Sequence, residues 1–115
     1  MVVNVRAKKA LGQNFLKDQA IARLMVESID VTTNDRVIEI GAGVGALTES
    51  LASICNSKQT HLTAVEFDID LIPTLKSKIV ENEFVKIVNA NILNLLDDFK
   101  VPENAHLKII GSLPY

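Results

Sequence analysis

The 115-residue sequence contains one cysteine, Cys55. That excludes a disulfide framework and a cysteine-rich metal centre within one chain, and it fits a reducing compartment. The only two histidines, His61 and His106, have no ligand-like spacing to each other or to Cys55, so all three read as structural and no metal is expected. No apolar run approaches the ~18 residues of a membrane span. The basic start is not followed by an apolar signal core, so the expected address is the cytosol, away from any membrane. Repeats, low-complexity tracts and linker-like stretches are missing as well.

What remains is ordinary globular composition, 48% hydrophobic and 23% charged residues, in a length that suits one domain. The formal net charge of −2 is unevenly spread. Residues 1–29 sum to +3 and residues 30–115 to −5. A basic arm on an acidic body points to an anionic partner that meets only the N-terminal edge, or to a merely solvated terminus.

Apolar periodicity organises the rest. Residues 1–11 lack a pattern and form an arm. Asp18 can cap a helix over 19–29, with Ile21, Leu24, Met25 and Ile29 on one face. Residues 36–40 read as a strand running into a glycine loop, followed by a helical stripe of Leu47, Leu51 and Ile54. A second strand is predicted over 61–66. The next helix has Asp68 or Asp70 as its cap and Pro73 in its first turn. Strands over 84–88 and 106–111 follow, with Leu93, Leu96 and Phe99 on a short helix between them. Alternating strand and helix predicts an α/β fold, a parallel sheet with helices on both faces.

Each strand runs into a polar, acidic or glycine-rich cluster: 41–45, Glu66-Phe67-Asp68, Asn89-Ala90-Asn91 and Ser112-Leu113-Pro114-Tyr115. In open parallel sheets ligands bind beyond the carboxyl ends of the strands, so these clusters mark the site. Gly41, Gly43 and Gly45 let a ligand approach the backbone closely. Gly41, Gly43 and Ala46 also satisfy G-x-G-x-x-A, so a nicotinamide dinucleotide stays open. Glu66 suits either cofactor, because a carboxylate accepts from a ribose diol. Two details favour S-adenosylmethionine. Gly45 would let the helix start sit close to a bulky nucleoside, and Glu39 places an acid where it can hold the ammonium of a methionine moiety.

The closing tetrapeptide points to amino-group methylation. An exocyclic amine on a nucleobase is a poor nucleophile until its N–H groups are accepted and its lone pair is aimed at the methyl donor. Ser112 and the Leu113 carbonyl are the expected acceptors, Pro114 fixes that carbonyl, and Tyr115 stacks on the extruded base. Stacking is worth about 1–3 kcal/mol per base, and orientation adds several more.

Leu11-Gly12-Gln13-Asn14-Phe15-Leu16, residues 39–45, Glu66 and residues 111–115 together resemble the ribosomal RNA adenine N6,N6-dimethyltransferase family, from about residue 8 to the end. The Gly12–Leu16 segment is the most specific part of the likeness. The resemblance implies a Rossmann-like class I S-adenosylmethionine-dependent methyltransferase acting on small-subunit ribosomal RNA. It implies that Asn14 and Leu16 close over the methionine end of the cofactor. Gly41 and its neighbours would lie against methionine and ribose, Glu66 on the ribose hydroxyls, and Phe67 beside the adenine or in the core. The family usually has aspartate at Asn91, accepting from the cofactor's adenine amine, and asparagine at Ser112, accepting from the target amine. Asn91 keeps an acceptor oxygen; Ser112 offers a shorter hydroxyl, as in some amino-methylating DNA enzymes. Arg6, Lys8, Lys9 and Lys17 become candidate contacts to RNA phosphates.

Such an enzyme has seven strands and a C-terminal helical domain. The expectation is therefore an arm (1–17) and the first four strands of a truncated catalytic domain (18–115). That piece would be inactive alone and would self-associate through a bare fourth strand. The competing readings are a DNA amino-methyltransferase, a non-catalytic RNA-binding assembly factor and a nicotinamide-dependent oxidoreductase.

Overall fold

A computed structural model describes residues 19–95, 97 and 103–111. Its element order is α1 (Gln19–Ser28), β1 (Asp35–Ile40), α2 (Ala46–Lys58), β2 (His61–Glu66), α3 (Ile72–Lys78), β3 (Val85–Asn89) and β4 (His106–Gly111). Short 3-10 helices occupy Ile69–Leu71 and Ile92–Asn94. Asp68, not Asp70, is the cap after β2, its side chain accepting from the Asp70 amide at 2.9 Å. Pro73 falls in the first turn of α3, where its missing N–H costs no hydrogen bond.

The strands form one parallel sheet in the order β3-β2-β1-β4. The chain moves outward from β1 through β2 to β3, then returns to the far side of β1 for β4. The order therefore reverses between β1 and β4, which is where α/β sheets open a crevice for ligands.

Strand alternation sends Val37, Leu62, Ala64, Val85, Ile87 and Ile110 to one face. There they pack with Ala22 and Val26 of α1 and Ile29 just beyond it, with Leu47, Leu51 and Cys55 of α2, and with Leu75 on α3. Ile38, Val65 and Ile109 point to the other face, where Ile92 and Leu95 of the second 3-10 turn cover them. Among the described residues, the three α-helices thus pack on the first face and the second 3-10 turn on the other. The expected stripe is widened: Ile29 is buried and Ile21 and Met25 pack against the core as expected, but Ala22 and Val26 join them and Leu24 does not. Ala22, Val26 and Ile29 face the sheet at the i, i+4, i+7 spacing, and Leu24 is 64% exposed.

The end of the sheet opposite the loops is clamped electrostatically. Lys108 Nζ on β4 lies 2.8 Å from Asp35 Oδ2 on β1 and donates to the Asp30 carbonyl at 2.6 Å. The Asp35 carboxylate also accepts from the Thr32 amide at 2.8 Å. Burial pushes this carboxyl up, yet its hydrogen bonds to Lys108 and Thr32 together hold it below the ordinary aspartate value.

Among the described residues, no helix is long and apolar enough to cross a membrane.

Candidate functional site

Register brings the predicted loops together. Ile40, the last residue of β1, pairs with Val65 of β2 and with Gly111 of β4. Glu66 pairs with Asn89 of β3. The residues after each strand therefore emerge along one edge. The Gly41 and Ala42 amides both donate to the Val65 carbonyl, at 2.8 and 3.1 Å, so the glycine loop folds across the end of β2.

Gly43 has φ 61°, a left-handed conformation that favours glycine. That turn aims its amide at Glu66 Oε1, 2.7 Å away. The other carboxylate oxygen, Oε2, accepts from the Asp68 amide at 2.8 Å. Each oxygen is thus fixed by one backbone donor, and each keeps a further lone pair for an incoming hydroxyl. Asn89 stiffens the same corner, its Nδ2 donating to the carbonyls of Glu66 and Phe67 at 2.9 and 3.1 Å.

Glu39 lies deeper, 2% exposed. The Thr48 hydroxyl, in the first turn of α2, donates to its Oε1. Burial pushes the Glu39 carboxyl up to about 7, with the nearby Glu66 charge adding to the rise and the Thr48 hydrogen bond opposing it. Thr48 was missed by sequence reasoning. Its only signal was a polar residue on the inward stripe of an amphipathic helix, next to Leu47 and Leu51.

Three expectations are refined here. Gly45, at φ 96°, serves packing: a Cβ there would sit 3.0 Å from Leu75 Cδ1 on α3. The missing side chain makes room for the core, a packing reason that stands beside the expected clearance for a nucleoside. Phe67 is 73% exposed, which removes the core alternative and leaves an aromatic ring at the loop edge. Asn91 uses its acceptor locally, with Oδ1 taking the Leu93 amide at 3.0 Å to cap the second 3-10 turn.

Asn14, Leu16, Ser112, Leu113, Pro114 and Tyr115 lie outside the described residues. So do Arg6, Lys8, Lys9 and Lys17.

The structural reading of the remaining candidates holds. Cys55 is fully buried in the core, where desolvation, with Asp35 adding, pushes its thiol up to about 12. His61 packs on the Phe84 ring with centroids 5.5 Å apart. His106 Nδ1 stands 3.6 Å from Asp35 Oδ1.

Comparison with known proteins gives a consistent set of likenesses. Residues 4–115 match the family described as ribosomal RNA adenine dimethylase. "Ribosomal RNA small subunit methyltransferase A" of Geobacter metallireducens is 41% identical over 113 residues, covering 96% of this chain and 40% of that protein. The Levilactobacillus brevis protein of the same name is 42% identical over 116 residues, covering 95% and 37%. The chain therefore spans about 40% of the length of these curated relatives. Among solved structures, the 23S rRNA methyltransferase ErmE superposes with a TM-score of 0.64 at 26% identity, covering 85% of this chain and 36% of that one.

Proposed function

The chain belongs to the ribosomal RNA adenine dimethylase family, and from that premise we propose that it holds S-adenosylmethionine for dimethylation of adenine N6 in small-subunit ribosomal RNA. Its fold is the Rossmann-like one of class I methyltransferases. The observation that carries the reading is the Glu66 carboxylate, pinned by the Gly43 and Asp68 amides beside a buried Glu39.

The donor set fits the cofactor. Glu66 retains acceptor capacity for a ribose diol. Gly41 and Gly43 leave the loop backbone approachable, and Glu39 is an acid without a cationic partner among the described residues. Exposed Phe67 offers a ring face to the adenine, and Asn91 stands at the same edge. Asn14 and Leu16 close over the methionine end.

The sulfonium supplies an electrophilic methyl group; this chain's residues do the positioning. Ser112 and the Leu113 carbonyl accept from the target amine, Pro114 holds that carbonyl, and Tyr115 stacks on a base taken out of its helix. The amine loses its proton after attack, so no general base is required. Arg6, Lys8, Lys9 and Lys17 neutralise RNA phosphates.

Residues 1–17 act as the arm and residues 18–115 as the cofactor-holding part of the catalytic domain, in the cytoplasm. The 115 residues bind cofactor weakly and do not turn over alone. They self-associate through β4, whose outer edge is unpaired among the described residues.

Calorimetric titration with S-adenosylhomocysteine and with NAD tests the core of this reading. Binding of the first and not the second is expected; the reverse supports a nicotinamide enzyme and overturns it. Sedimentation over a range of concentrations checks the self-association, for which a concentration-independent monomer is the contrary result. Tritium transfer by the isolated chain to small-subunit particles, rRNA and DNA should be at background. Robust transfer contradicts the inactivity, and a preference for DNA contradicts the RNA assignment.

A further inference from the structure

Two acids, Glu39 and Glu66, face the same side of adjacent strands at the loop edge. Glu39 pairs in register with Ala64, and Glu66 lies two residues further along β2, so both side chains project toward the face that carries α2. They are 2% and 8% exposed. Glu66 is satisfied by two backbone amides. Among the described residues Glu39 has one hydrogen-bond partner, the neutral Thr48 hydroxyl.

Among the described residues, the other groups packed around Glu39 bring no positive charge. Its β4 neighbour is Ile110, its β2 neighbour Ala64. Glu49, beside Thr48 on α2, is exposed and also acidic. Burying a carboxylate without a counter-charge is expensive, and a second carboxylate nearby adds to the expense. The group relieves it by keeping its proton, in line with its carboxyl being pushed up to about 7.

We infer that the site takes up its cationic ligand in exchange for the proton on Glu39. This rests on the S-adenosylmethionine reading and adds a proton linkage to it. The exchange balances simply. Glu39 enters as a neutral carboxylic acid and its O–H bond breaks. The proton passes to bulk water, and the carboxylate left behind faces the ligand's ammonium. Thr48 is the positioning residue, because its hydroxyl holds Oε1 in either protonation state.

Calorimetry of S-adenosylhomocysteine in two buffers of different ionisation enthalpy measures the protons released. Near pH 6 about one proton should leave per ligand bound, falling to about half near pH 7 and to little at pH 8. Over the lower part of that range affinity should rise about tenfold per pH unit. 5′-Methylthioadenosine carries the nucleoside but no ammonium, and should bind with no proton release and a flat pH profile. Glu39→Gln should bind S-adenosylhomocysteine more weakly, with the release abolished.

As a measurement independent of any variant, the Glu39 carboxyl carbon should titrate near pH 7 by NMR in the free chain. In the S-adenosylhomocysteine-saturated chain it should titrate well below that. Binding of both ligands with identical pH dependence overturns the inference and leaves the cofactor reading intact. Binding of neither overturns the cofactor reading, and the inference with it.

Discussion

Single residues decide how this site responds to pH and to the base it holds. Glu39 is a carboxyl whose value rises from the ordinary 4.5 to about 7 on folding. Its contribution to stability is intact below the unfolded value and is lost as pH rises through the folded one. Glu39→Gln keeps an oxygen for the Thr48 hydroxyl and has nothing to ionise. The variant should therefore gain stability relative to the parent between about pH 5 and pH 8, by roughly 2 kcal/mol. Urea denaturation at the two pH values measures that gain; an equal difference at both would show that burial does not hold the proton. In the proposed site Asn91 stands toward the other end of the ligand. Its single acceptor oxygen already takes the Leu93 amide. An aspartate offers a second oxygen to an exocyclic amine. Asn91→Asp should tighten S-adenosylhomocysteine about tenfold, the value of one charged hydrogen bond. The S-inosyl analogue, which lacks the amine, should not gain, and competition titration compares the two.

At the scale of elements, punctuation was easier to read than packing. Strand β2 over His61–Glu66 and β4 over His106–Gly111 match the sequence reading because turn residues and apolar runs bound them. β3 starts one residue later than expected. The Phe84 amide goes to the Asn82 side chain at 2.7 Å, and only then does the strand begin. In α1 two apolar stripes compete, Ile21-Leu24-Met25 and Ala22-Val26, and periodicity alone favours the larger residues. Close approach to the sheet favours the smaller Ala22. The glycine loop and Glu66 were legible as a site because they end adjacent strands. Thr48 was not, since its partner is nine residues away and only the fold joins them. The Asp35–Lys108 clamp was equally hidden, because it depends on β4 lying beside β1. It holds that edge strand in register. Lys108→Met leaves Asp35 buried without its cation and should cost about 3 kcal/mol near neutral pH. Because the folded Asp35 carboxyl lies below its ordinary value, the stability it lends is present above pH ~4 and lost as pH falls through the folded value. The loss caused by Lys108→Met should shrink in acid. Denaturation midpoints at neutral and acidic pH check both statements.

On the scale of the whole chain, sheet topology and charge separate the two ends of the sequence, and the proposed function gives each end its own partner. The strand order reverses beside β1, so the carboxyl ends of β1, β2 and β3 border the crevice proposed for the cofactor. Those ends carry Glu39, Glu66 and Asp68, an acidic surround suited to a cation and repellent to phosphates. On the proposed function, an RNA strand would then be held from elsewhere. The excess of positive charge lies in residues 1–29, which sum to +3 against −5 for the remainder. Under the proposed function this division would make the arm the source of the electrostatic part of RNA affinity, and counterion release gives that proposal a measurable size. Each phosphate neutralised on single-stranded RNA contributes about 0.7 to the slope of log affinity against log salt. Replacing Arg6, Lys8 and Lys9 together by Ala should therefore flatten that slope by about 2. S-Adenosylhomocysteine binding should stay unchanged, since the cofactor site draws on other residues. Filter binding of a small-subunit RNA fragment across a salt series reads the slope directly. An unaltered slope in the triple variant would remove the arm from RNA recognition, and would require the acidic body to bind phosphate against its own charge.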